Sequence, residues 1–174
     1  PLYYLFDLHK KAKSIVMQNL DLTPSIQSID VVSQLPGIIN EPSLFFSSHI
    51  KDHIKVSSNT ILQYKYNIAD QRHITIQFIV EEPAAKIELE KYNYYVIQMT
   101  TWITMIHNIA SKKCSKYLDI YIFMSPFQKH LPESNIQAID AEHINTAYTT
   151  SCALNTEIVI YRKEEWFKVF IHET

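Results

Sequence analysis

The sequence predicts an α+β protein in which helices pack on an antiparallel or mixed sheet. Three observations carry that expectation. Apolar residues recur at spacings of three and four in segments 3–20 and 94–114, as on one face of an amphipathic helix. Between these segments, and again after residue 116, the period drops to two in stretches rich in β-branched and aromatic residues, which marks strands. Hydrophobic residues make up 47% of the 174 residues, enough apolar surface to offset the entropy lost on folding. The change of pattern near Pro83 suggests an N-terminal helix and antiparallel β region over 1–90 and a second unit over 91–174, although a single domain also fits the length.

Taken in order, YYLFDLHKKAKSIVMQNL (3–20) places Leu5, Leu8, Ala12, Ile15, Val16 and Leu20 on one helical face, and Asp21 with the LTPS that follows stops it. SIDVVSQLPG (28–37) reads as a strand closed by a Pro36-Gly37 turn. From Ser43 to Glu82 the stretches LFFSSHI, HIKVSS, TILQYKYNI and HITIQFIVEE alternate, predicting an antiparallel β region with a hairpin over 67–72. YYVIQMTTWITMIHNIASKKC (94–114) carries a wide apolar stripe through Val96, Met99, Trp102, Ile103 and Ile106, followed by Lys112, Lys113 and Lys116, which suit the negative end of a helix dipole. YLDIYIFM (117–124) reads as a strand covered on both faces or nearly so, and residues 126–145, with Pro126 and Pro132, as a loop with one helical turn. AYTTS (147–151) is a short strand, EIVIYR (157–162) a firmer one, and EEWFKVFIHET a helix that opens on two acids and gathers Trp166, Phe167, Phe170 and Ile171 on one side.

Composition excludes several functions. Sixteen Lys and Arg stand against eighteen Asp and Glu, a net charge of −2, with the basic residues scattered; a nucleic-acid partner, which needs a concentrated basic face, is not expected. Eleven tyrosines are not interleaved with basic residues except in QYKYN, so core and interface packing accounts for them better than base stacking. Apolar runs such as Ile158-Val159-Ile160 are too short to cross a bilayer, and no signal peptide is visible. The single glycine, Gly37, removes every glycine-rich phosphate loop and leaves the turns to Asn, Asp, Pro and Ser. Cys114 and Cys152 have neither a CxxC spacing nor a secreted framework around them, so two reduced thiols in a reducing compartment are expected.

Candidate chemistry rests on histidines. His49 and His53 have the i, i+4 spacing of a helical metal pair, but Phe46, Ile50, Ile54 and Val56 around them favour a strand. His107 on the long helix is expected to be a satisfied, partly buried histidine, and His143, beside Glu142, a polar loop residue that could fold over the last helix. Ser151-Cys152 shows no positioned histidine that would activate a thiol. At the end of the chain, His172-Glu173 matches the first half of H-E-x-x-H, in which two histidines one turn apart grip Zn²⁺ and the glutamate serves as base. The second histidine would be residue 176, beyond Thr174, so the motif is expected to be cut short; Pro1 in place of Met also suggests a processed or partial chain.

The run EIVIYRKEEWFKVFIHET, with NTAYTTSC ahead of it, resembles a family of zincin-like metallopeptidases of nucleocytoplasmic large DNA viruses, over about residues 112–174. The resemblance implies a zincin-like arrangement in the C-terminal half, with a scaffold helix, a short edge strand and a strand leading into the active-site helix. It also implies His172 as a zinc ligand, Glu173 as the catalytic base, Zn as cofactor of the complete protein only, and a peptide or protein substrate, in the host cytoplasm or the virion. The chain itself would bind zinc poorly and cleave nothing. The alternative is a non-catalytic virion or assembly protein that uses a zincin-related fold to bind other virion proteins.

Overall fold

A computed structural model describes residues 2–69, 71–130, 143 and 145–174. Among them are four α-helices, α1 (Leu2–Asn19), α2 (Ser48–Ser57), α3 (Leu89–His107) and α4 (Trp166–Glu173). Six strands, β1 (Ser25–Ser28), β2 (Thr60–Ile68), β3 (Arg72–Val80), β4 (Tyr117–Phe123), β5 (Ala147–Thr149) and β6 (Asn155–Ile160), form one sheet in the order β1-β2-β3-β4-β6-β5. The α+β expectation holds, and the sheet is mixed: β3, β4 and β6 run parallel, and the other neighbours are antiparallel. The sheet runs unbroken from strands before residue 90 to strands after it, through the β3–β4 ladder.

The two faces of the sheet differ. Side chains alternate along a strand, and the even-numbered residues of β2, β3, β4 and β6, from Leu62 and Phe78 to Ile120 and Ile158, meet Val16 of α1, Val96, Met99 and Ile103 of α3, and Trp166 and Phe170 of α4 in the main core. On the opposite face Ile61, Ile79, Phe123 and Val159 pack beneath Leu35, Ile38, Ile39, Phe46 and two residues of α2, Ile50 and Ile54. That second cover extends over only part of the sheet. The register row Lys65, Thr75, Asp119, Glu157 stays polar beyond it.

Two segments depart from the expected β pattern. Residues 48–57 form the helix α2, not a strand. Phe46, Ile50 and Ile54 are spaced by four as well as by two, and once the second face of the sheet offers a floor, the helical spacing buries all three. The predicted strand at 28–37 is also displaced: the strand is Ser25–Ser28, and Val32–Gln34 is a 3-10 turn. There the Gln34 side-chain oxygen accepts from the backbone N–H groups of Asp30 (2.6 Å) and Val31 (3.1 Å), satisfying donors that a ladder would have used. The helix expected at 94–114 begins five residues earlier, inside the charged segment, and ends at His107. The loop expected over 126–145 lies largely outside the described residues.

With one glycine in the chain, left-handed backbone falls to other residues. Ala69, Ser115 and Glu165 have φ of 46°, 57° and 53°, conformations that cost an L-residue roughly 1–2 kcal/mol. Each stands at a change of direction: the β2–β3 hairpin, the entry to β4 and the entry to α4.

The expected pair of reduced thiols is corrected by a disulfide, Cys114–Cys152, with Cα atoms 5.0 Å apart. The sequence separation of 38 said nothing about proximity. The turn after α3 and the β5–β6 loop are brought together because β4 and β6 are neighbours, and Ser115 N–H donates to Ala153 O at 2.7 Å beside the bridge.

On the polar part of the sheet, Asp119 and Glu157 are register partners on adjacent parallel strands. Burial, then the charges of Glu41 and Asp119, push the Glu157 carboxyl above its usual range. A carboxyl raised in the folded state contributes full stability below its unfolded value and loses it as pH rises through the folded value. Glu157→Gln is therefore expected to raise the urea midpoint at pH 7, with the gain disappearing as pH falls below the ordinary glutamate range. A gain independent of pH would rule out charge as the cause.

Candidate active site at the end of the last helix

β6 delivers the chain into α4 through a buried link. Tyr161 and Arg162 follow the strand with almost no exposure. Arg162 donates from Nε to Asn145 O (2.8 Å) and from Nη1 to Gln128 O (2.6 Å), which ties the approach to β5 and the exit from β4 to the same point. Ser125 Oγ donates to Tyr161 O at 2.6 Å, and the Tyr161 hydroxyl donates to Phe45 O in the segment that covers the second face. Burial pushes the Tyr161 hydroxyl well above its ordinary value and depresses the Arg162 guanidinium. α4 then packs through Trp166 and Phe170, whose rings join Phe78, Tyr95 and Phe167 in edge-on or tilted contacts.

That packing sets where His172 and Glu173 lie. Residues one apart on a helix are turned by about 100°, and the two side chains diverge accordingly. His172 is exposed, while Glu173 is partly covered and its Oε2 accepts from the Thr149 hydroxyl of β5 at 2.5 Å. Next to it Trp102 of α3 donates from Nε1 to Thr174 Oγ1 at 2.7 Å. The end of α4 is thus held between the edge strand and the scaffold helix. A cavity of about 520 Å³ runs along it, lined by Asn145, Thr146 and Ala147 on one side and by His172 and Glu173 on the other. The buried Thr146 Oγ1 has no hydrogen-bond partner there among the described residues.

The other histidines are placed as follows. His49 and His53 do share a helix face, the reverse of the strand expectation, but both rings meet Phe127 edge-on at 5.1 and 4.9 Å, and His53 Nε2 pairs with Glu81 Oε1 at 2.7 Å. His107 is partly buried as expected and bonds Gln71 through Nε2 at 3.0 Å, but it is not fully satisfied, because its buried Nδ1 has no partner among the described residues. Its burial, then the charges of Arg72 and Lys112, hold it below the ordinary imidazole value. Glu142 lies outside the described residues. Among those described, no three His, Cys, Asp or Glu side chains gather as a metal would require.

The chain matches no known protein family, no curated protein and no solved structure.

The interaction that sequence reasoning missed is Thr149–Glu173. Thr149 carries no motif, and its only signal was its place in a short strand before EIVIYR.

Proposed function

We propose that this chain carries the first part of a zinc-peptidase site, with Glu173 as the base and His172 as one metal ligand. A single observation carries the reading: a helical carboxylate is held by a hydroxyl of a short edge strand, Thr149 to Glu173. β5 pairs only with β6 among the described residues, so its outer edge retains backbone donors and acceptors able to align an extended peptide by strand addition. A carboxylate beside that edge stands where it can take a proton from a nucleophile directed at the bound peptide. The element order supports the reading: after α3 and the strand β4 come a short antiparallel edge strand, a strand parallel to β4 and a helix bearing His-Glu. Fold order alone is associational support.

Zinc at a catalytic site takes three protein ligands and activates water. The described residues do not fit that requirement, because His172 is one donor and no cluster of three exists among them. No step through a metal is drawn from this chain. The 174-residue protein is expected to retain no stoichiometric zinc after dialysis. A chain extended along its reading frame is expected to hold one zinc, to lose it on His172→Ala, and to keep it while losing peptide hydrolysis on Glu173→Gln. An extended chain with no histidine four residues after His172, or with metal unaffected by His172→Ala, would end the proposal.

A second reading, a non-catalytic assembly module of a virus particle, draws on α1. Its first turns expose Leu2, Tyr3, Tyr4, Leu5 and Phe6 around the helix, and exposed large apolar groups in such number can mark association surfaces. Light scattering that shows concentration-dependent association, lost on Phe6→Ser with the fold retained, would favour it.

A further inference from the structure

Arg72 opens β3 and is only 6% exposed. Nε donates to Ser115 O at 3.0 Å, and Nη2 to Ser111 O and Cys114 O at 3.3 and 3.2 Å. Nη1 donates to nothing among the described residues, and Arg72 takes part in none of their ion pairs. Burying a cation without a counter-charge is expensive, and the carbonyls of the turn between α3 and β4 offset only part of that cost.

Arg72 lines a cavity of about 310 Å³ at the N-terminal ends of β4 and β6, beneath the C-terminal ends of α3 and α4. Its apolar lining includes Ile103, Ile106, Leu118 and Ile158, and Glu173 borders it without pairing with Arg72. Thr149 bonds only Oε2 of that carboxylate, which leaves Oε1 able to accept. Separated opposite charges over an apolar lining complement a ligand carrying the reverse pair. The volume, at the lower end of the roughly 300–1,000 Å³ usual for ligand sites, suits a molecule of amino-acid size. Multiply charged anions such as phosphate are repelled by Glu173, and fatty acids lack a group for it.

We infer that this cavity binds an apolar α-amino acid as its zwitterion, the carboxylate on Arg72, the ammonium toward Glu173 and the side chain against the isoleucines. The site needs no metal and stands or falls apart from the peptidase reading, whose test is zinc content.

Calorimetric titration of the 174-residue chain with L-leucine, 4-methylpentanoate, 3-methylbutylamine and inorganic phosphate tests it. Leucine is expected to bind in the millimolar range, and the other three at least about tenfold more weakly, since each lacks one charge or carries the wrong number. Glu173→Gln, at a partly exposed position, is expected to bring leucine down to the affinity of 4-methylpentanoate. Arg72→Gln, checked for folding by near-UV circular dichroism, should abolish both. Undetectable leucine binding to the folded chain, equal binding of leucine and phosphate, or leucine affinity unchanged by Glu173→Gln would each overturn the assignment.

Discussion

Replacing Phe78 by alanine is expected to destabilise the protein by about 3–5 kcal/mol, the range for truncating a buried phenylalanine. Phe78 is fully buried in the C-terminal half of β3. Its ring meets Tyr92 at 5.2 Å and Tyr95 at 6.2 Å on α3, Trp166 at 5.9 Å on α4 and Tyr64 at 6.4 Å on β2. One side chain therefore couples the scaffold helix and the last helix to the same strand, and collapse around the void is limited because its neighbours are large rings on three different elements. Total stability for a domain is roughly 5–15 kcal/mol, so a loss of this size leaves little reserve. Urea denaturation measures it, and near-UV circular dichroism reports the loosening of Trp166. Phe78→Leu, which keeps most of the volume, should cost about 1.5 kcal/mol or less, and Tyr94→Ala, at an exposed position, about 0.5 kcal/mol or less. Equal effects at 78 and 94 would show that the aromatic cluster does not hold α4.

The second large effect is expected from the Cys114–Cys152 bridge. It closes a loop across a sequence separation of 38, and chain-entropy arguments give about 4 kcal/mol for a loop of that length. The Cys114→Ser/Cys152→Ser protein should unfold at lower urea than the oxidised protein, and dithiothreitol should bring the wild type to the same midpoint. The fold should survive, because Ser115 N–H to Ala153 O and Tyr117 N–H to Leu154 O tie the same two loops together without it. Two titratable thiols in the untreated protein, or a midpoint indifferent to reductant, would remove the bridge from the account of stability.

Much of the fold was legible because helices and strands leave local traces. The stripe Val96, Met99, Ile103 marked α3, the alternation in TILQYKYNI and HITIQFIV marked β2 and β3, and Trp166 with Phe170 marked the buried side of α4. Where the trace was ambiguous the expectation failed. Phe46, Ile50 and Ile54 satisfy both periods, and the floor that chooses between them, Ile61, Ile79, Phe123 and Val159, comes from four strands, the last two of them distant in sequence. At the site, His172 and Glu173 were named from two adjacent letters, but Thr149, which holds the carboxylate, and Arg72, 101 positions before Glu173 and lining the same cavity, carry no local mark.

The chain by itself determined what depends on neighbours in sequence: which stretches have a face to bury, and that a single glycine excludes glycine-rich phosphate loops. Tertiary structure alone decided what depends on contacts between distant residues. These are the parallel placement of β4 between β3 and β6, the pairing of the two cysteines, and the convergence of β5, α3 and α4 on Glu173. The reason is physical. Periodicity is set by backbone geometry within a few residues, whereas a disulfide or a buried charge forms only where packing brings separate segments within bonding distance.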